Sequence, residues 1–474
     1  VSPAAQAREL AVRETPIPGL LVLDLPVHGD ARGWFKENWQ REKMVAAGLP
    51  DFGPVQNNIS FNQAEGVTRG IHAEPWDKYV SVATGAVFGA WVDLREGPTF
   101  GTAYWHEISP GTAVFVPRGV GNAFQTVQAP AAYTYLVGEH WSEAAQSQYT
   151  FLHLADETAA IPWPIPLERA ELSAKDRAHP RLAEVTPVPP RRTLVVGGSG
   201  QLGRALAARW RKRADVDVVD RSRLDIADPA SVAAFDVSPY GAIVNAAAHT
   251  AVDAAETEEG RRAAWAVNVA GVGHLVEAAR RHRAVLVHLS SDYVFDGTAA
   301  VHPVDEPLSP LGVYGQTKAA GEQLVATLPA HYVVRTSWVI GEGRNFVSTM
   351  AELAARGVDP AVVDDQIGRL TLAEDLAAGI EHLLAVRPAP GIYHLTNEGE
   401  PASWAEIARA VFALTGHDPA RVRPVSTAEY AADRPGLAPR PARSTLDLSA
   451  LRATGFVPRE QFSALRELLA ARQG

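Results

Sequence analysis

Hydrophobic and polar positions change rhythm once along this chain. Over residues 20–150 the apolar side chains fall in short alternating runs, as in Tyr79-Val80-Ser81-Val82, Ala86-Val87-Phe88-Gly89-Ala90-Trp91-Val92 and Ala113-Val114-Phe115-Val116-Pro117, separated by turn pairs rich in Gly and Pro. A period of two points successive side chains to opposite faces, so this half predicts an all-β barrel of the cupin or jelly-roll kind. From Arg191 onward, apolar runs at Thr193–Val196, Ala242–Asn245, Ala284–Leu289 and Tyr332–Arg335 alternate with segments of helical period such as Gln201–Arg213 and Arg261–Arg281. That alternation predicts βαβ units, hence a doubly wound parallel sheet of the Rossmann type. Between the two textures, Ala178–Arg192 carries four prolines. Proline cannot donate a backbone hydrogen bond, so the expected organisation is a barrel over residues 1–180, an extended linker over 181–191 and a Rossmann domain over 192–474.

Length and composition support this division and narrow the function. A chain of 474 residues suffices for two or three domains at about 150 residues each. Its net charge of −10 and its lack of a long basic run argue against a nucleic-acid partner. No apolar stretch is long enough for a membrane span, and the charges and prolines of the first residues do not suit a signal peptide, so the expected location is the cytoplasm. The absence of cysteine removes thiolate metal sites, disulfides and cysteine nucleophiles.

The first apolar run of the second half leads directly into Gly197-Gly198-Ser199-Gly200-Gln201-Leu202-Gly203. Glycines at 197, 200 and 203 permit a tight turn and close approach of a pyrophosphate to the N-terminus of the helix that Gln201 and Leu202 open. Asp225 and Ile226, after the second strand, are expected to face an adenine. Ala246, Ala247 and Ala248 offer the small residues past which a dinucleotide must run. Further on, Tyr314 and Lys318 are four residues apart on one helix face, and Ser291 ends an upstream strand. An ammonium beside a phenol favours proton exchange with a carbonyl oxygen, to which Ser291 can also donate.

These segments resemble the extended short-chain dehydrogenase/reductase family and, within it, the dTDP-4-dehydrorhamnose reductases. The resemblance is carried by GGSGQLG (197–203), NAAAHTAVDAAE (245–256), HLSSDYVFDG (288–297), VYGQTK (313–318), RTSWVIG (335–341), VVDDQIG (362–368) and RPARSTLD (440–447). It implies that Tyr314 donates the proton, that Lys318 lowers its pKa and holds the nicotinamide ribose, and that Ser291 polarises the sugar ketone. Asp292, Tyr293 and Trp338 would line the sugar pocket, and the resemblance implies a small C-terminal substrate lobe after the Rossmann sheet. NADPH is the expected cofactor, with NADH open: Asp220 suits a ribose 2′-hydroxyl, whereas Arg221 and Arg223 suit a 2′-phosphate. The chain departs from the family pattern at Ser291, His249, Leu370 and Arg443.

A cupin metal centre needs an H-x-H pair, a Glu and a second His. Here His72 is followed by Ala73 and Glu74, and Asn122 stands where a later His would fall, so no metal is expected. Instead the first half resembles the dTDP-4-dehydrorhamnose 3,5-epimerase family, through GWFKENW (33–39), VQNNIS (55–60), RGIH (69–72), DKYV (77–80), VDLREGPTFG (92–101) and LSAKD (172–176). By that resemblance His72 is the base, Asp176 orients it, Lys78 steadies an enolate oxygen and Tyr135 returns a proton from the opposite face. Arg32, Gln56, Asn58, Arg69 and Asn122 would bind the nucleotide sugar. Asn122 and Trp141 depart from the family pattern, which leaves epimerisation at one carbon open beside epimerisation at two. A barrel that only binds sugar nucleotide is a further alternative. Together the halves imply a bifunctional enzyme converting dTDP-4-dehydro-6-deoxy-D-glucose to dTDP-L-rhamnose, and both resemblances imply a homodimer.

Overall fold

The computed structural model describes residues 9–473. The chain divides into two compact units, Val1–Pro190 and Arg191–Gly474. No helix among the described residues is long and apolar enough to cross a membrane.

The first unit is an antiparallel barrel built on two long strands, Lys78–Asp93 and Val120–Val137, paired over most of their length. The runs at residues 79–82 and 86–92 are one strand rather than two. The full sheet has nine strands. Leu21–Asp24 and Thr112–Val116 extend it on one side, and Thr68–Ala73 and Thr150–Phe151 on the other. Alternate side chains of the long strands serve different cores: Val80, Val82, Val87 and Trp91 fill the barrel interior with Phe124 and Tyr133, whereas Val92 packs outward against Leu152, Leu154 and Leu182. Burial on both faces explains why these strands read as nearly continuous apolar runs.

The segment 181–191 is not a free spacer. Leu182 and Val185 are buried in the outer barrel core. The Val188 amide donates to the Leu94 carbonyl (2.7 Å) and the Val188 carbonyl accepts from the Glu96 amide (2.9 Å). The prolines cannot donate, but the residues between them can. The apolar pair completes a core that the barrel would otherwise leave open, and the division between units falls at Pro190 and Arg191.

The second unit is a six-stranded parallel sheet in the order Val216–Val219, Arg192–Val196, Tyr240–Asn245, Val285–Ser291, His331–Thr336, Gly391–His394. Apolar clusters cover both faces, as a doubly wound sheet requires. The strand order reverses direction beside Arg192–Val196, and the crevice at the carboxyl ends of this strand and Tyr240–Asn245 is where such sheets hold ligands. The helical segment 261–281 is interrupted: Glu258–Trp265 and Val272–His282 are α-helical, but Ala266–Gly271 is a π-turn. Short strand pairs and the helices Phe346–Ala355, Trp404–Leu414 and Gln461–Gln473 form the C-terminal lobe around its own core.

Candidate active sites

In the barrel, His72 lies on the strand Thr68–Ala73, and Asp176 arrives from a short 3₁₀ turn late in the unit. His72 Nε2 is 3.0 Å from Asp176 Oδ1, and the Asp176 amide donates to Ser173 Oγ. Burial pushes the Asp176 carboxyl up, but the hydrogen bonds of His72 and Ser173 hold it below its ordinary range. A carboxylate that stays ionised can fix the imidazole and support its charged form. His179 adds a second imidazole 3.9 Å from Asp176, and burial pushes its pKa down. His72, Asp176 and His179 place their donor atoms within 4.8 Å of one another.

Lys78 opens the next strand. Its ammonium is paired with Glu74 at 2.5 Å, with both side chains largely buried, and stands 5.9 Å from the centre of the Tyr135 ring. Burial and then the Glu74 charge push the Tyr135 phenol up, which keeps it a neutral acid. Gln56, Asn58, Glu74 and Tyr135 share a pocket of about 210 Å³ with Trp76, Trp141 and Tyr149. Asn122 lies opposite His72 in the ladder. Its carbonyl oxygen accepts from Trp91 Nε1 (2.9 Å) and the Tyr133 hydroxyl (3.2 Å), so only its amide nitrogen is left for a ligand. Arg69 donates to Asn62 at 3.3 Å. Arg32 stands on the hairpin of His28–Asp30 and Gly33–Phe35, with its side chain 91% exposed and paired to Asp30. Sequence pattern alone does not single out Glu74 and His179; the Glu74-x-x-x-Lys78 spacing is the one signal that was there to find.

In the second unit, the glycine turn joins Arg192–Val196 to the helix Gln201–Arg209. A methyl on Gly197 (φ +88°) would lie 2.5 Å from the Ala247 amide, and one on Gly203 would lie 2.2 Å from the Gly197 carbonyl. A methyl on Gly200 would meet nothing closer than 3.4 Å. Gly200 caps the helix without a side chain, so its N-terminus remains open for a pyrophosphate. These residues fit a dinucleotide. Gln201 accepts from the Gly341 amide (2.7 Å), and the Leu202 side chain packs into the core against the sheet. Asp225 is paired with Arg221, while the Ile226 side chain belongs to the core beside Leu224 and Val272. The Ala246 amide donates to Val196 and the Ala247 amide to Asn245 Oδ1, which sets Ala246–Ala248 alongside the glycine turn.

Ser291 ends the strand Val285–Ser291, and its hydroxyl donates to Asp292 Oδ1 (2.8 Å). The Tyr314 hydroxyl bonds to Ser291, and the Tyr314 ring meets Tyr293 edge-on at 5.5 Å. The phenol does not have the lowered pKa expected of a tyrosine beside a lysine. Burial and Asp292 push it up to about 12, outweighing Ser291, while Lys318 turns to the Leu289 carbonyl. Burial lowers Lys318 to about 8 and raises Asp292 to about 6. Trp338 is held at φ +46°, stacked on Trp404 at 3.8 Å. Asn268, in the π-turn, bonds both backbone groups of His249 and the Thr317 hydroxyl, tying the loop after Asn245 to the Tyr314 helix. A polar residue within Ala-Val-Asn-Val-Ala-Gly is its only trace in the sequence.

A phenol, a lysine and a hydroxyl beside a dinucleotide cleft define a carbonyl reductase of the short-chain kind, and the barrel unit carries a hydrogen-bonded His–Asp pair. The chain belongs to the family described as RmlD substrate binding domain, which matches residues 191–473, and residues 14–184 match the dTDP-4-dehydrorhamnose 3,5-epimerase family. It is 50% identical over 190 residues to a Streptococcus pyogenes RmlC homolog, covering 39% of this chain and 95% of that protein. A probable dTDP-4,6-dihydroxy-2-methyloxan-3-one 4-ketoreductase of Streptomyces antibioticus is 44% identical over 286 residues, covering 58% and 94%. A Bacillus anthracis dTDP-4-dehydrorhamnose reductase, solved in complex with NADP, is 33% identical with a TM-score of 0.55, covering 60% and 99%. The chain thus joins an epimerase domain to a reductase domain of dTDP-sugar metabolism.

Proposed function

We propose that this chain carries out two consecutive steps on one nucleotide sugar, 3,5-epimerisation of dTDP-4-dehydro-6-deoxy-D-glucose and reduction of its 4-keto group, giving dTDP-L-rhamnose. The single observation that carries this reading is the coexistence of a His72–Asp176 pair in the barrel with the Tyr314–Ser291–Lys318 group in the Rossmann unit. Carbons 3 and 5 both lie alpha to the ketone. His72, oriented by Asp176, takes a proton from either carbon, Lys78 faces the enolate oxygen, and Tyr135 returns a proton from the other side. Gln56, Asn58, Arg69, Asn122 and Arg32 serve the nucleotide sugar.

The resulting 4-keto sugar is the substrate of the second unit. NADPH, held at Gly197, Gly200 and Gly203 with Arg221 and Arg223 exposed for its 2′-phosphate, supplies hydride to carbon 4 when bound. Tyr314 gives its proton to the ketone oxygen, the Ser291 hydroxyl turns from Asp292 to donate to the same oxygen, and Asp292, Tyr293 and Trp338 hold the sugar. A phenol held at about 12 retains its proton at neutral pH, as this direction of transfer requires. Exposed Trp34, Phe35, Ile59 and Phe61 on the barrel support a homodimer, and a cysteine-free chain using NADPH suits the cytoplasm.

The test is conversion of dTDP-4-dehydro-6-deoxy-D-glucose in D₂O with NADPH, run beside UDP-sugar and NADH arms. The expected product is dTDP-L-rhamnose labelled at carbons 3 and 5. Label at one carbon, or a different stereochemistry at carbon 4, makes this an enzyme of another deoxysugar, the direction in which the 4-ketoreductase relative points. Lys318 also sets a pH dependence. Its ammonium, carrying charge below about pH 8 and losing it above, gives kcat/KM for reduction an alkaline limb near that pH. The limb is absent from the pH–rate profile of Lys318→Arg, whose charge does not titrate there.

A further inference from the structure

We propose that Glu74 is a positioning residue for epimerisation, anchoring the Lys78 ammonium where the enolate oxygen forms and balancing its buried charge. This rests on the reading of Lys78 given above. Both oxygens of the Glu74 carboxylate are engaged: Oε1 with Lys78 Nζ at 2.5 Å, and Oε2 with Trp76 Nε1 at 2.5 Å. Its backbone carbonyl accepts from the Gly119 amide, which pins the turn to the next loop. Glu74 therefore lies in the short connection that carries His72 at one end and Lys78 at the other, and it lines the pocket that Tyr135 enters. The side chains of Lys78 and Glu74 are 5% and 10% exposed.

A lone ammonium in such a place is costly, since burial disfavours the charged form. Two other lysines of this chain, Lys36 half-buried and Lys318 buried, show that cost. Lys36 is held by the Val82 and Pro110 carbonyls and Lys318 by the Leu289 carbonyl, and burial pushes each down to about 8. Lys78 differs from both in its geometry: a carboxylate stands in direct contact with its ammonium, at 2.5 Å. The same carboxylate contributes to pushing up the phenols of Tyr135 and Tyr149, after burial, so the groups around the pocket remain neutral acids. One side chain thus holds the cation and stands in the pocket beside the phenol that must deliver the proton.

The experiment measures initial rates of solvent deuterium entry into dTDP-4-dehydro-6-deoxy-D-glucose with the full-length protein. Glu74→Gln keeps the shape and removes the charge. It is expected to lower kcat by about 10²-fold, the scale of losing one preorganised oxyanion contact, with KM unchanged. Glu74→Asp recovers part of the rate. Lys78→Met is slow on its own, and adding Glu74→Gln to it costs nothing more, because the carboxylate acts through the ammonium. A wild-type kcat for Glu74→Gln, a change confined to KM, or equal losses in both backgrounds overturns the proposal. Wild-type exchange by Lys78→Met refutes the enolate role of Lys78 itself, and the proposal falls with it.

Discussion

Tyr314→Phe is expected to lower kcat for reduction of the epimerised 4-keto sugar by about 10²–10⁴-fold, the range of general-acid catalysis, while deuterium exchange at carbons 3 and 5 continues at the wild-type rate. The substitution removes one oxygen and little else. A phenylalanine ring can keep the edge-on contact with Tyr293 and the half-buried packing of the tyrosine ring, so the fold loses no packing. What disappears is the hydroxyl bonded to Ser291 and with it the proton that must reach the sugar oxygen as hydride arrives at carbon 4. Ser291 can still donate a hydrogen bond to the ketone, which sets the residual rate. NADPH absorbance with pre-epimerised substrate reads the first half of the prediction, and NMR in D₂O the second. A variant that reduces at the wild-type rate would remove Tyr314 from the chemistry.

The mirror experiment is His72→Gln. Exchange at both carbons is expected to fall by about 10²–10⁴-fold, again the range of a lost general base, and conversion of dTDP-4-dehydro-6-deoxy-D-glucose should stop with it. Reduction of pre-epimerised sugar should be untouched. Gln carries an amide nitrogen near the position of the distal His72 Nε2 that meets Asp176, so the carboxylate is not left buried without a partner. If the barrel only captured sugar nucleotide, overall conversion would survive this change. That outcome would reassign the barrel as a binding module.

Much of this architecture is legible in the chain because period-two and helical patterning are local properties of consecutive residues. The glycine turn, Tyr314 with Lys318, and the parallel strands are of this kind. The 181–191 segment is misread because proline content reports what a residue cannot donate, not what its neighbours bury: Leu182 and Val185 close a core that only the folded barrel reveals. Ile226 and Leu202 are placed at the cofactor by position, and their side chains pack into the sheet core, so any cofactor contact they make falls to the backbone. The state of Tyr314 depends on three dimensions as well. Spacing places an ammonium four residues away, but burial and Asp292 decide the phenol. Asn268 is hidden for a similar reason, since the π-turn that aims it changes the helical phase that pattern reading assumes.

The junction at Pro190 and Arg191 also has a consequence for the cell. Each ribosomal pass yields one isomerising unit and one reducing unit, so their ratio is set at translation and cannot be altered by separate promoters or differential turnover. Flux between the two steps is then balanced only by their rate constants, and a slow second step could not be corrected by making more of it.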